Sequence, residues 1–312
     1  MYKQKEAMVK LSIIIPHKNS GKLLERLLKS IPLESDFQVI VCDDNSDDKE
    51  LNYVKNLQKE HSFELYLNEG KGAGGARNTA LKHATGEWLF FADADDFLLK
   101  SFSSLVSQYL DTKLDLVLFN VSSCYSDTLL PAYRGDHINS LFEKYEITGN
   151  INDIKLRYLS PIGKLIKNEL VKENQIEFEE IPAANDIMFS IKVALAAKQV
   201  VCDKTPIYMI TVSSGSITTT LSKERFESKL QANIRVNKLL RKHGFSKYQL
   251  SVLYYLGMGY QFGLRYELHV IWTCVKNRMN PFIGIKKILH LKKTLRNKQN
   301  NSIIKDQRDK CN

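Results

Sequence analysis

Asp93, Asp95 and Asp96 place three carboxylates within four residues at the end of the apolar run Trp88-Leu89-Phe90-Phe91-Ala92. That much negative charge at the end of a buried element calls for a cation. In an extended segment alternate side chains share a side, so Asp93 and Asp95 can face one Mg²⁺ or Mn²⁺, hard ions that take oxygen ligands and substrate phosphates. The pattern favours a metal-bound nucleotide; the alternative is a solvated turn capping the next helix near Ser101. A second acid cluster, Asp43-Asp44-Asn45-Ser46-Asp47, ends another apolar run. Asp186 is the only acid between Ile181 and Val201, and it opens a helix-like stretch carrying Ile187, Ile191 and Leu195. Residue types alone leave it open between a proton acceptor and a helix N-terminal acid favoured by the dipole.

The elements that must position these acids alternate. Leu11 to Pro16 reads as a buried strand, and Leu23, Leu24, Leu27, Leu28 and Ile31 follow at helical spacing. Phe37 to Cys42 and Phe63 to Leu67 are further strands, with a helix marked by Leu51, Val54 and Leu57 between them. A loop from Gly70 to Gly75, a helix from Ala76 to Ala84 and the strand Trp88 to Ala92 complete the series. Strands alternating with helices imply a parallel sheet covered on both faces, with ligands outside the carboxyl ends of its strands, where both acid clusters fall. Gly70, Gly72 and Gly75 fit G-x-G-x-x-G, but that dinucleotide fingerprint belongs after the first strand and with a single carboxylate, so the context argues against it. The glycines stay open between a close-turning loop and phosphate contact.

Four stretches in order, Ser12-Ile13-Ile14-Ile15-Pro16 with Lys18-Asn19, Val39 to Ser46, Gly75-Ala76-Arg77-Asn78 and Gly86 to Asp96, resemble a family 2 glycosyltransferase with the GT-A fold. Gly163-Lys164-Leu165 and Asn185 to Phe189 sit where acceptor-side motifs of that family would be, so the resemblance covers roughly residues 10 to 220. It implies an α/β fold, a Rossmann-like, mostly parallel sheet flanked by helices, with a C-terminal helical extension. The expected boundaries are a catalytic domain at 1–221, its nucleotide-sugar half about 10–120 and its acceptor half about 121–221, and a basic helical extension at 222–312. The resemblance implies that Pro16, Asn19, Asp43, Asp44, Arg77, Asp93, Ala94 and Asp95 bind the nucleotide sugar, with Asp44 accepting from the uracil ring. It makes Asp95 the direct ligand of Mn²⁺ or Mg²⁺, Asp93 shared between ribose and metal, and Asp186 the general base of an inverting transfer. For Arg77, a structural ion pair with a neighbouring Asp stays open. Two positions depart from the family pattern: Asn185 stands where an acid usually precedes the base, and Thr211 where an Arg often follows the Tyr-rich strand. The implied reaction is metal-dependent transfer from a nucleotide sugar, UDP-linked, to a saccharide on a lipid carrier, in surface polysaccharide synthesis such as capsule or O-antigen. A sugar nucleotidyltransferase would carry a Gly-rich basic loop after the first strand, and none is there; a non-catalytic nucleotide-sugar-binding scaffold stays open because of Asn185.

At 312 residues the chain can bury a substantial core. Cys42, Cys124, Cys202, Cys274 and Cys311 show no pairing or metal spacing and read as reduced, and the seven histidines show no zinc pattern, so cytoplasm is the simplest compartment. The first seven residues carry charge without an apolar region and do not read as a signal peptide. Charge is uneven: residues 222–312 hold 20 Lys+Arg against 5 Asp+Glu, and residues 1–221 hold 25 against 30. A +15 tail on a −5 body suggests an acidic surface as partner. Val252 to Val275 is aromatic-rich but contains Gln261, Arg265, Glu267 and His269, and so fails as a membrane span. Ile285, Ile288, Leu289 and Leu295 share a helical face opposite Lys286, Lys287, His290 and Lys293, the pattern of an interfacial helix on anionic lipid, with a solvated basic bundle as the alternative. No recognised nucleic-acid motif accompanies the charge, so nucleic acid is not an expected partner.

Overall fold

The computed structural model describes residues 8–213 and 222–285. The chain divides into two compact units, residues 1–228 and 229–312. The first is built on one eight-stranded sheet in the order β3-β2-β1-β4-β7-β6-β8-β5. Its first half alternates β1 (Leu11–His17), α1 (Gly21–Ser30), β2 (Phe37–Asp43), α2 (Asp48–Leu57), β3 (Glu64–Leu67), α3 (Gly72–His83) and β4 (Trp88–Phe91). These four strands are mutually parallel where they pair, with His17 opposite Asp43 and Ile14 opposite Phe91. The connections step from β1 to β3 in one direction and then cross to β4 on the other side of β1. This change of direction opens a crevice at the carboxyl ends of β1 and β4.

The second half breaks the parallel pattern. β5 (Phe97–Leu98), α4 (Phe102–Leu110), β6 (Leu116–Tyr125), α5 (Asp136–Thr148), α6 (Ile151–Lys155), β7 (Lys164–Lys167), α7 (Asn168–Glu173), α8 (Ile187–Ala196) and β8 (Val200–Val212) follow. β7 inserts antiparallel between β4 and β6, and β5 pairs antiparallel with the long β8, so the sheet is mixed rather than parallel throughout. Fully buried residues run uninterrupted along the central strands, Ile13 to Ile15, Ile40 to Cys42, Trp88 to Ala92 and Val117 to Phe119. Strands covered on both faces read as such continuous apolar runs.

Two local expectations are corrected. The Gly70 to Gly75 stretch is not all loop: α3 begins at Gly72, because Gly74 packs against the main chain of Glu179, an approach no Cβ would allow. Residues 93–96 are not extended but form a turn closed by Asp96 N–H donating to Asp93 O at 3.0 Å, so alternation along a strand does not govern where Asp93 and Asp95 point.

The described part of the second unit continues α9 (Lys223–Lys242) into short helical turns, α10 (Leu253–Met258) and α11 (Leu264–Lys276). The Asn237 side chain holds the Leu250 backbone from both sides, donating to its carbonyl at 2.9 Å and accepting from its N–H at 2.6 Å. The Val252 to Val275 stretch is thus broken into segments, and no helix among the described residues is long and apolar enough to cross a membrane. The basic helical face expected from Ile285 to Leu295 lies, apart from Ile285, outside the described residues.

Gly86, between α3 and β4, tests the packing. Its N–H donates to Ser12 Oγ at 2.8 Å, and a Cβ there would lie 2.7 Å from the Leu11 carbonyl carbon on β1. Gly86→Ala is expected to destabilise by about 1–3 kcal/mol, the usual cost of overpacking. Denaturant unfolding should show a lower midpoint at unchanged slope.

Candidate active site at the strand ends

The acid turn is fixed by its third carboxylate. Asp96 is buried and accepts from the Tyr208 hydroxyl and from the Thr211 N–H, both at 2.7 Å. Tyr208 oxygen also accepts from the Asp93 N–H at 2.9 Å, and Thr211 Oγ1 donates to the Asp95 carbonyl at 2.6 Å. β8 therefore grips each acidic residue of the turn. Burial, and then the charges of Asp95 and Asp93, push the Asp96 carboxyl well above the usual carboxylate range. Asp96 is spent on structure. The surrounding protein, and then Asp93, push the Asp95 carboxyl up, while Arg134 and Arg26 pull it back.

Arg26 had no signal in the sequence, being one cation on an amphipathic helix. From α1 its guanidinium donates to the Asp95 carbonyl and, at 3.1 Å, to the Ser126 carbonyl, and it lies 5.3 Å from the centre of the Phe97 ring. Where the family pattern has an arginine at position 211, this chain has a threonine that shares the Asp95 carbonyl with Arg26.

Asp43 and Asp44 leave the end of β2 in different directions. Asp43 accepts from the Ser46 N–H at 3.1 Å and stands 3.8 Å from His17 Nδ1, so it closes the turn. Burial pushes the pKa of the His17 imidazole down, against the charge of Asp43, and its Nε2 accepts from Ser20 N–H at 3.2 Å. Asp44 instead accepts from Asn68 Nδ2 at 2.6 Å and lies 3.6 Å from Lys18 Nζ. Asn19 ties the two strand ends together, accepting from Asp47 N–H and donating its own N–H to Ser46 Oγ, both at 2.9 Å. Pro16 lies beside Cys42 in the sheet, and Ala94 is buried in the acid turn.

Arg77 joins this half to the next. Projecting from α3 and buried, it donates to Asp93 Oδ1 at 2.6 Å and to Asn185 Oδ1 at 3.1 Å, and its guanidinium sits 5.3 Å from the Phe178 ring centre. The ion pair left open by the sequence is present. Phe178 and Phe189 stack at 3.9 Å, and both meet Phe91 of β4 edge-on at 5.1 and 5.3 Å. That aromatic cluster carries the start of α8 to the acid turn. Asp186 occupies the N-cap position of α8 but its side chain makes no capping bond, so the carboxylate is not spent on the helix. Burial raises its pKa, Arg77 and Lys164 oppose that rise, and Asp93 adds to it. Gly70, just before α3, faces Glu180, which accepts from the Lys71 N–H at 3.0 Å, so a carboxylate of the chain itself stands at that helix entrance.

Among the described residues no three His, Cys, Asp or Glu side chains are placed to hold a metal ion by themselves. Asp95 and Asp93 nonetheless fit a hard divalent cation, which is commonly held by one or two carboxylates with phosphate oxygens completing the shell.

The Glycosyl transferase family 2 model matches residues 12–174. The chain is 31% identical over 205 residues, 62% of its length, to the poly(ribitol-phosphate) beta-N-acetylglucosaminyltransferase TarS of Staphylococcus aureus. It is 41% identical over 106 residues, 32% of its length, to the GalNAc(5)-diNAcBac-PP-undecaprenol beta-1,3-glucosyltransferase of Campylobacter jejuni. Each match spans 34% of the relative. The crystal structure of S. aureus TarS 1–349 in complex with UDP superposes with a TM-score of 0.63 at 24% identity, covering 84% of this chain and 78% of that one. That likeness shows the fold, which is GT-A.

Lys164 on β7 gives a test of the site's electrostatics. It is buried, donates to the Tyr158 carbonyl at 2.6 Å, and its pKa is pushed down by burial to about 7, with Asp186 opposing. Unfolding restores the ordinary 10.5, so the unfolded chain binds the extra proton between about pH 7 and pH 10.5. Stability contributed through Lys164 therefore rises with pH across that window, by at most about 1.4 kcal/mol per pH unit. Lys164→Met is expected to lose this rise. Unfolding free energies of the two proteins measured from pH 7 upward should diverge in favour of wild type, and parallel curves would refute the assignment.

Proposed function

Because the chain belongs to glycosyl transferase family 2, we propose that it transfers a sugar from a UDP-linked donor to a saccharide on a lipid carrier, with inversion at the anomeric carbon. The observation that carries the reading is the Arg77 bridge, which sets the donor-side acid Asp93 and the residue next to Asp186 within reach of one guanidinium. Relatives support the finer points by their own names: one acts on an undecaprenol diphosphate, and a structure of similar fold holds UDP.

In this reading Asp44, steadied by Asn68, accepts from the uracil ring, with Asp43 and Asn19 shaping the loops around the nucleotide and Pro16 and Ala94 lining it. Asp95 and Asp93 would hold Mn²⁺ or Mg²⁺, which would offset the charge developing on the leaving diphosphate. Asp186 takes the proton from the attacking hydroxyl as its oxygen bonds the anomeric carbon from the face opposite the departing UDP. A carboxyl held above its usual range is better matched to a base working near neutrality. Asn185 presents a carbonyl oxygen to Arg77, as an acid would, so the departure from the family pattern keeps the bridge while leaving the ion pair of the guanidinium to Asp93. The basic carboxyl-terminal region would bring the enzyme to an anionic membrane on the cytoplasmic side, where a lipid-linked acceptor of a capsule or O-antigen pathway is found.

The experiment pairs UDP titration, with and without Mn²⁺, with UDP release from UDP-sugars in the presence of lipid-linked acceptors. Asp186→Asn should retain UDP binding while transfer falls by about 10²- to 10⁴-fold, the usual worth of acid-base catalysis. Asp95→Asn should abolish the Mn²⁺-dependent part of UDP binding. Folded wild type that binds no UDP would overturn the reading.

A further inference from the structure

α11 is apolar on two sides. Tyr266, Val270, Thr273 and Cys274 are buried within the second unit, while Leu264, Leu268, Ile271, Trp272 and Val275 are exposed. At 100° per residue these five fall within one arc about 100° wide, a continuous stripe along more than three turns. The exposures are large, 75% for Leu264, 58% for Leu268, 57% for Trp272 and 70% for Val275, so the stripe is open along its length. Scattered exposed hydrophobics need no explanation, but a contiguous stripe marks an interaction surface.

Charge around the stripe selects the occupant. Arg265, His269 and Lys276 are exposed and line one edge of the arc. Lys276 folds its ammonium over the Trp272 ring at 4.7 Å from the centre, the arrangement of a long cation lying along apolar surface with its charge at the rim. Residues 229–285 contain nine Lys+Arg and a single acid, Glu267. That acid is turned away from the stripe: one carboxylate oxygen of Glu267 packs against Gly259, in the turn before α11. The exposed face therefore joins apolar and cationic groups without an anionic one. A second copy of this chain would bring another +15 region against it, since residues 229–312 hold 18 Lys+Arg and 3 Asp+Glu. An anionic lipid surface instead meets both halves of the pattern, acyl chains under the stripe and phosphates at its basic edge.

We propose that the exposed face of α11 is a bilayer-docking surface that lies in the headgroup layer of an anionic membrane, with Trp272 and the leucines inserted and Arg265 and Lys276 on the phosphates. The proposal deepens the lipid-carrier reading above and rests on it for its purpose, since it would hold the transferase at the surface that carries its acceptor. It places an apolar contact on a folded helix, ahead of the basic tail.

The test is flotation of the full-length protein with phosphatidylglycerol–phosphatidylcholine vesicles and with phosphatidylcholine vesicles, with UDP titrated on the same preparations. The protein should float with the anionic vesicles, less so as salt rises. Only two tryptophans are present and Trp88 is fully buried, so a blue shift in emission on adding vesicles reports Trp272. Leu268→Glu with Val275→Glu, both at exposed positions, should lower partitioning by about tenfold or more without changing UDP affinity. Flotation of that variant equal to wild type, or no emission shift in the wild type, would overturn the proposal, because the tail's charge would then account for attachment. Concentration-dependent dimerisation abolished by the same variant would overturn it in favour of a second copy. UDP binding without flotation rejects the docking face alone, and flotation without UDP binding rejects the transferase reading alone.

Discussion

One guanidinium holds the two halves of the first unit to a common point. Arg77 leaves α3 in the first, parallel half, pairs with Asp93 at the end of β4, and spends its other amino group on Asn185, over a hundred residues later in the chain. It lies against Phe178, which stacks with Phe189 and meets Phe91, so the polar bridge and the aromatic cluster reinforce each other. A buried cation with one ionic partner and one neutral partner is costly to break, because removing either leaves charge or an amide without its bond inside the protein. The geometry of the whole site follows from where this group can be satisfied.

The acid turn shows the same economy. Three aspartates in four residues would repel one another in an extended strand. Asp96 turns inward, where both of its carboxylate oxygens accept hydrogen bonds, from Tyr208 and Thr211, and the chain bends into a turn around it. Asp93 is drawn to Arg77, and Asp95 is held by its own backbone carbonyl, which accepts from both Arg26 and Thr211. Electrostatics and backbone hydrogen bonding together convert a run of like charges into two presented carboxylates.

Much of this was legible locally. The parallel core could be read because strands buried on both faces appear as unbroken apolar runs, and the acids fell at their ends for the same reason. Helix α3 begins earlier than its sequence suggests, because glycine in isolation signals a break, whereas here Gly74 lies in the helix and packs against Glu179, a contact between residues far apart in sequence. A turn at Asp93 to Asp96 stood in the sequence only as the alternative to an extended segment, because the groups that fix it, Tyr208 and Thr211, lie more than a hundred residues further on. Arg26 and the Arg77–Asn185 bond were hidden for the same reason: a side chain's partner across a hundred residues leaves no periodicity. Asn185 stood out in the sequence as a missing acid, and only the bond from Arg77 gives its carbonyl a physical role. The antiparallel β7 was likewise invisible, because a four-residue strand carries no sign of its direction.

The central claim is that Arg77 transmits between the donor-side acids and the loop bearing Asp186. It is tested most directly by UDP dissociation constants, in Mn²⁺, for Asn185→Leu, Arg77→Met and the double variant. If Arg77 is the bridge, Asn185→Leu weakens UDP binding in the wild-type background and adds little once Arg77 is gone, a coupling of about 0.5–3 kcal/mol as contacting residues show. Effects that add in full would contradict the account, because Asn185 would then act on the nucleotide by a route that does not pass through the guanidinium.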